Sequence, residues 1–297
     1  MSIKRKDVCF VGVDRPRRMR RVVGGLLWAG SLALVLVLAC FLHPPAPTPL
    51  LAQTSQTQAA PVPAASQTLN YNIYWRTASA GVATIRLERD PKANQIKISG
   101  DAHSSRFVST LYRVEDQFES LVSLKEFCTL KINKQTNEGR RHREMLVDFF
   151  PDQRVARWQD RNTAVPSSPV RHSQTSIPGC VHDVFSAAFY LQTQRLELGK
   201  TIQFPIFDGG KTYTVAVEVQ QRETVKTDAG TFQTIRVEPK VFGNLFHRSG
   251  RMFVWYTDDA EHHLVQLKAR ISVGTITASL ATPLKPATPA APSSSSP

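Results

Sequence analysis

Residues 211–239 read KTYTVAVEVQQRETVKTDAGTFQTIRVEP, and this stretch decides the fold class of the chain. From Tyr213 to Val219 apolar side chains occupy every second position, and Asp228-Ala229-Gly230 then forms a short loop before the return segment Thr231 to Glu238. A glycine at the end of such a loop can adopt positive φ without steric cost. Because a period of two residues is typical of a strand with one buried face, this stretch predicts a β-hairpin.

The same alternation continues on both sides of this hairpin. Leu69 to Trp75 and Ala83 to Leu87 alternate apolar with polar residues around a turn near Ser79-Ala80-Gly81, and Asp208-Gly209-Gly210 marks another hairpin. Arg251 to Thr257 is apolar on both faces, which is typical of a strand in the middle of a sheet. The chain is therefore predicted to be a succession of antiparallel strands.

The last apolar segment changes its parity at one glycine. Odd-numbered positions from Val265 to Val273 are apolar, whereas even-numbered positions from Ile276 to Leu280 continue the pattern after Gly274. One inserted residue at a glycine is the sequence pattern of a β-bulge. We therefore predict one strand that a bulge bends around a curved sheet or barrel.

Only short segments have helical periodicity. Asp183 is a predicted N-cap before Val184 to Leu191, in which apolar side chains recur three and four residues apart. This helix is apolar on most of its circumference, so it is expected to cover a sheet face or plug a barrel opening. A shorter second helix is predicted within Ser104 to Tyr112.

The amino-terminal part of the sequence predicts export. Residues 1–21 hold eight Lys or Arg and two Asp, and are expected to stay cytoplasmic, while residues 22–42 are uncharged and mostly apolar. A helix of that length spans about 31 Å, close to the hydrocarbon thickness of a bilayer. We expect an uncleaved inner-membrane anchor with the main domain in the periplasm. The alternatives are a cleaved signal peptide, giving a secreted protein, and a lipoprotein modified at Cys40.

Composition divides the rest of the chain into three parts. Residues 43–68 are predicted to form a disordered Pro/Gln-rich linker. Residues 69–280 are predicted to form one β domain, and residues 281–297 are predicted to form a disordered Pro/Ser tail. The predicted fold class is mainly β. It is a curved antiparallel sheet or open β-barrel with one or two short helices packed on it, preceded by a transmembrane or signal helix.

The charge of the chain restricts its partners. The net charge of +13 falls to +7 without residues 1–21, because 29 basic and 22 acidic residues remain. Nucleic-acid binding is not expected of a moderately basic exported protein. The predicted partners are the membrane, through the N-terminal helix, and either a lipid or another envelope protein. Arg140, Arg141 and Arg143 form the main basic cluster, which is either a contact for an anionic lipid or polymer or a solvated strand start.

Cys128 and Cys180 are the two cysteines beyond residue 42. In an oxidising compartment such a pair is a candidate disulfide, which would close a loop of about 50 residues and contribute about 2–4 kcal/mol. The alternative is two unrelated buried thiols.

Other polar groups do not form a convincing catalytic set. The stretch Asp258 to His263 is either a cation site or a polar hairpin tip, and His182-Asp183 is either an acid/base pair or an N-cap with its predecessor. A Gly-x-Ser-x-Gly elbow and a phosphate-binding glycine loop are both missing from the sequence. We therefore expect no enzyme activity and no cofactor. The aromatic residues of the domain, including Trp75 and Phe149, either line an apolar pocket or fill a β core.

From about Leu69 to Leu280 the sequence resembles the bacterial exported family catalogued as domain of unknown function 3108. The resemblance rests on the opening Leu69 to Trp75 with Ala80-Gly81-Val82-Ala83, on the helix Asp183 to Leu191 followed by Leu198-Gly199, and on the hairpins at 208–211 and 227–232. It implies an antiparallel β domain in the cell envelope, and it implies no catalytic residues.

These observations predict a non-enzymatic envelope protein that binds an apolar or lipid-like ligand or serves as an assembly module. A protein scaffold that docks through a sheet edge or the basic cluster is the alternative. An uncharacterised hydrolase is the third hypothesis, and it would require a polar pocket with convergent carboxylates or histidines.

Overall fold

The computed structural model describes residues 66–242, 250–271 and 274–284. The predicted leader 1–21, the apolar run 22–42 with Cys40, and most of the predicted linker and tail lie outside these ranges. Within the described ranges, no helix is both long enough and apolar enough to span a bilayer.

The described residues form fourteen strands and two short helices. The strands are β1 (Gln67–Trp75), β2 (Ala78–Asp90), β3 (Gln95–Ser104), β4 (Glu115–Ser123), β5 (Thr129–Glu138), β6 (Arg141–Phe150), β7 (Val155–Asn162), β8 (Arg171–Ser176), β9 (Thr201–Asp208), β10 (Lys211–Thr227), β11 (Gly230–Phe242), β12 (Met252–Thr257), β13 (Leu264–Ile271) and β14 (Gly274–Leu280). The helices are α1 (Arg106–Ser109) and α2 (Val184–Gln192).

All of these strands belong to one antiparallel sheet. Strands β1 to β8 pair in sequence order, strands β9 to β14 do the same, and β1 pairs with β14, so that β8 and β9 are the two edges. The predicted hairpins are confirmed, because Lys211 pairs with Asp208 and Thr227 pairs with Gly230. The mainly β, antiparallel architecture follows from this meander of locally paired strands.

The sheet curls until its two halves meet, but it does not close. The ring of Phe149 in β6 lies edge-on to that of Phe207 in β9, with centroids 5.0 Å apart. Between β5 and β9 runs the connection 177–183, in which Val181 O accepts from the backbone N of Thr129 (2.9 Å) and His182 O accepts from that of Phe207 (2.7 Å). The connection thus bridges β5 to β9, and the edge strands β8 and β9 are not paired with each other.

Helix α2 fills the concave side of the sheet, as its apolar circumference predicts. Asp183 caps it, accepting from the backbone N of Phe185 and of Ser186. Phe189 and other apolar residues of the helix join the main core with side chains from ten strands. The hydroxyl of Tyr256 donates a hydrogen bond to Ala188 O (2.9 Å), which fixes the helix to β12.

The prediction of a bulge at Gly274 is wrong. Ile271 pairs directly with Gly274, Ala269 with Ile276 and Leu267 with Ala278, so the segment is a hairpin of two strands. A two-residue connection also changes the parity of the apolar positions, because odd residues of one strand then lie opposite even residues of the next. Gly274 has φ of +134°, which favours glycine at this position.

Candidate functional site

An apolar groove of about 650 Å³ lies at one end of the curled sheet, and we call it the mouth groove. Its walls come from the β1–β2 hairpin, the end of β3, the start of β14 and the segment between β3 and β4. The lining side chains used below are Ile73, Trp75, Ala102, Val108, Leu111 and Tyr112. The interior is therefore packed around α2 and open at this mouth.

The strand register makes the residues at the floor of the mouth groove neighbours across β14, β1, β2 and β3. Ile73 in β1 lies opposite Gly81 in β2, which lies opposite Ser104 in β3. A Cβ atom at Gly81 would lie 2.2 Å from the carbonyl oxygen of His103, so the missing side chain permits the close approach of β2 and β3. On the other side of β1, Ile276 lies opposite Trp75.

Residues 105–114 form the outer wall of the groove, and we call them the lip. Its helix, α1, is a single turn within the predicted range Ser104 to Tyr112, and Ser105 Oγ caps it by accepting from Val108 N (3.4 Å). At the other end of the lip, Val114 N donates to Ser104 Oγ (2.9 Å) and Val114 O accepts from Ser104 N (3.0 Å). Both ends of the lip are thus fixed to the end of β3.

The lip presents large apolar side chains to solvent. Phe107 is 68% exposed, Leu111 70% and Tyr112 51%, while the nearby Val82 of β2 is 50% exposed. Apolar side chains grouped in this way mark a binding surface more often than single exposed ones do. The mouth groove and the lip together form a continuous apolar site.

Glu138 is the acidic residue at the edge of the mouth groove. Burial is the main cause that raises the pKa of its carboxyl, and the neighbouring carboxyl of Asp116 raises that pKa further. Arg141 and Lys134 oppose this shift by favouring the charged form. Glu138 therefore keeps its proton to higher pH than an exposed glutamate does, which suits an apolar surface.

A second, basic pocket of about 340 Å³ lies beside the groove. The start of β6, the end of β7 and the loop before β8 build it, and we call it the basic pocket. Its lining includes five arginines and one carboxylate, namely Arg140, Arg141, Arg143, Arg161, Arg171 and Asp160. The predicted cluster Arg140, Arg141 and Arg143 is thus brought together with arginines from two other segments.

The arginines of the basic pocket are not equivalent. Arg143 places Nε 2.9 Å from Asp160 Oδ1 and Nη2 against Oδ2 of the same carboxylate, which is buried. Arg161 pairs with Glu144 at 2.6 Å. Arg140 and Arg171 are exposed and make no ion pair with any residue of the described ranges. Arg143 is therefore neutralised by its partner, and the uncompensated positive charge of the pocket belongs to Arg140 and Arg171.

Cys128 and Cys180 form a disulfide bond, with their Cα atoms 5.1 Å apart. The bond joins the start of β5 to the connection 177–183, next to the backbone hydrogen bond between Thr129 and Val181. It therefore reinforces the point at which the curled sheet is bridged.

The stretch Asp258 to His263 is a hairpin tip. Asp259 Oδ1 accepts from the backbone N of Glu261 and of His262, both at 3.0 Å, and His263 Nε2 lies 2.6 Å from Glu261 Oε2. Across the described ranges, no group of three His, Cys, Asp or Glu side chains is placed to hold a metal ion.

His182 and Asp183 have separate structural environments. The His182 ring stacks on Tyr190, with centroids 4.2 Å apart, and meets Phe204 edge-on. Burial lowers the pKa of His182 to about 4, so its ring is neutral at physiological pH. The Asp183 carboxylate instead accepts hydrogen bonds from the backbone of α2 and from the hydroxyls of Ser120 and Thr129 in the sheet. The two side chains are a core histidine and an N-cap.

The aromatic residues divide between core and groove. Phe149, Phe204 and Phe207 are buried in the cores, whereas Trp75 lines the mouth groove. Sequence reasoning missed the lip, since Phe107 and Leu111 are four residues apart and look like one buried helix face. Only their exposure in the structure distinguishes Phe107 and Leu111 from the residues of a buried helix face.

Comparisons with known proteins bear on the fold. The crystal structure of a β-barrel-like protein of domain of unknown function DUF1849 from Brucella abortus superposes with a TM-score of 0.50 at 9% identity, covering 74% of this chain and 98% of that one. A putative exported protein with a YmcC-like fold from Bacteroides fragilis gives a TM-score of 0.32 at 9% identity, covering 73% and 95%. No functionally curated protein matches the sequence. The family model for proteins of unknown function DUF3108 matches residues 70–281, as the resemblance predicted, and the chain belongs to that family.

Proposed function

We propose that this protein is a non-enzymatic protein of the cell envelope that binds an apolar, acyl-like chain in the mouth groove. The observation that carries the proposal is the apolar groove of about 650 Å³, bordered by a lip with exposed Phe107 and Leu111. Small-molecule sites typically enclose about 300–1,000 Å³ and are lined mostly by apolar side chains. The envelope location rests on the basic leader and apolar run of the sequence.

The affinity expected from the chain alone is weak. Burying about ten methylene groups contributes about 8 kcal/mol before costs. Lost translational and rotational freedom opposes this by about 4 kcal/mol or more. The difference corresponds to a dissociation constant of about 1 mM for the chain alone, so further contacts are required for tight binding. Weak chain binding is reversible, which suits a carrier.

The polar groups at the mouth support binding over hydrolysis. Ser104 and His103 are consecutive in β3, so their side chains project to opposite faces of the sheet. Ser104 Oγ lies 2.7 Å from Ser109 Oγ, whereas His103 Nε2 faces Asp101 Oδ2 at 3.4 Å. This hydroxyl and this imidazole are therefore not placed as a nucleophile and its base.

Filling the groove tests the proposal. We expect Ala102→Phe, which adds a ring inside the mouth groove, to weaken displacement of the uncharged dye 1-aminoanthracene by dodecanol about tenfold or more, because the lost methylene contacts exceed about 1.4 kcal/mol. Ala93→Phe is the matched control, since Ala93 is exposed in the β2–β3 turn at the opposite end. Native mass spectrometry of the full-length protein should also detect a co-purified lipid.

Two results would contradict the proposal. One is a full-length protein that is repeatedly free of lipid and shows no dye displacement. The other is an equal effect of Ala102→Phe and Ala93→Phe. Either would favour the alternative of a protein scaffold.

A further inference from the structure

The mouth groove and the basic pocket share one wall. Tyr112 lines the groove and packs against Gly139, where a Cβ atom would lie 2.7 Å from the ring. Gly139 N donates to Arg113 O at 2.8 Å, which fixes the β5–β6 turn to the lip. Glu138, before this glycine, lines the groove, and Arg140, after it, lines the basic pocket. An apolar site and a cationic site are therefore neighbours on one short turn.

The basic pocket has the chemistry of an anion site. Arg140 and Arg171 come from segments 31 residues apart in sequence and converge without a carboxylate partner among the described residues. Guanidinium groups donate paired hydrogen bonds to phosphate oxygens, and two or more can surround a tetrahedral anion. Asp160 orients Arg143 at the back of the pocket, so the pocket keeps its shape without a ligand.

We infer that the basic pocket binds the phosphate headgroup of the same molecule whose acyl chain occupies the mouth groove. The ligand class is thus an amphiphile with an acyl chain and a phosphate group. This inference rests on the proposed function, because the headgroup lies beside the groove only if the chain fills it. The headgroup contacts supply the affinity that the chain alone lacks.

The test compares ligands that share one chain. Full-length protein, kept soluble by an uncharged amphipathic polymer, is loaded with 1-aminoanthracene and titrated with dodecyl phosphate, with the phosphate-free dodecyl maltoside or with inorganic phosphate. The variant Arg140→Glu/Arg171→Glu reverses two charges in the basic pocket. Its matched control, Arg89→Glu/Lys92→Glu, makes the same change in net charge at the opposite end, where both side chains are exposed.

We expect the pocket variant to weaken binding of dodecyl phosphate at least tenfold, because two charge-assisted contacts are lost, and to change binding of dodecyl maltoside less than about twofold. The control variant should leave both ligands within about twofold of the wild type. Inorganic phosphate at millimolar concentration should compete with dodecyl phosphate and not with dodecyl maltoside.

The possible failures are distinguishable. If both amphiphiles bind and both double variants weaken dodecyl phosphate equally, only long-range charge matters and the headgroup site is overturned. If the pocket variant weakens neither ligand, the headgroup site is also overturned, while chain binding stands. If neither amphiphile displaces the dye from wild-type protein, the proposed function itself fails.

Discussion

Replacing Asp183 by Ala should destabilise the protein by about 3–4 kcal/mol. The carboxylate is buried, and four hydrogen bonds end on it. Oδ1 accepts from the backbone N of Phe185 (2.8 Å) and of Ser186 (3.0 Å). Oδ2 accepts from Ser120 Oγ (2.6 Å) and Thr129 Oγ1 (2.9 Å). One side chain therefore starts α2 and fixes it to β4 and β5.

The magnitude follows from these contacts. Loss of the N-cap costs about 1 kcal/mol. Ser120 is left as a buried hydroxyl without this acceptor, at about 1–2 kcal/mol. Thr129 loses less, about 1 kcal/mol, because its Oγ1 also lies 2.9 Å from Ser186 Oγ. The Asp183→Asn variant retains an oxygen for the cap, so about 1 kcal/mol is expected for it.

Urea unfolding followed by tryptophan fluorescence measures these differences. Ser105→Ala is the control, because Ser105 caps the short helix α1 through a bond of 3.4 Å and donates to Ser79 O (3.2 Å) at an exposed site. Its loss should cost about 0.5–1 kcal/mol. A destabilisation by Asp183→Ala that is below about 1 kcal/mol, or no larger than that of Ser105→Ala, would refute the assignment of this carboxylate as the joint between helix and sheet.

Two further predictions concern pH. His182 has a folded pKa of about 4 against 6.5 unfolded, so the unfolded state binds the proton first and stability should fall by up to about 3 kcal/mol between pH 6.5 and 4. Urea unfolding of His182→Asn across this window should lack that slope, and a wild-type slope in the variant would count against the buried neutral ring. Glu138 has a raised pKa, so its side chain gains charge at a pH above the usual 4.5 and dodecanol binding should weaken as pH rises through that pKa. Glu138→Gln should bind equally at both ends of a dye-displacement series in pH; a retained pH dependence would show that another group is responsible.

Local sequence patterns correctly predicted the helix cap and the hairpins, because these depend on residues that are close together in the sequence. The N-cap at Asp183 and the hairpins at 208–210 and 228–230 depend on residues within a few positions, and the structure has them where the sequence indicates. The parity change at Gly274 was ambiguous, because a bulge and a two-residue hairpin produce the same pattern. Strand pairing resolved it, and pairing depends on residues that are distant along the chain.

In the basic cluster, the sequence alone does not distinguish paired arginines from unpaired ones. Arg140 and Arg143 stand three positions apart and look alike, yet Arg143 is paired with Asp160 and Arg140 is not. Arg171 joins the pocket from the far end of a loop that no local pattern connects to β6. Which charges remain uncompensated is a property of side chains brought together by the curled sheet.

The sequence by itself determined the strand periodicity, the principal turns, the buried helix and the family, because these depend on neighbouring residues and on composition. The tertiary structure alone decided that α2 fills the interior while the mouth stays open, that Phe107 and Leu111 face solvent, and that an apolar groove lies beside a basic pocket. The physical reason is that burial and charge compensation are set by contacts between strands far apart in the chain. Periodicity predicts which face of a strand is apolar, and only the curvature of the whole sheet decides what that face meets.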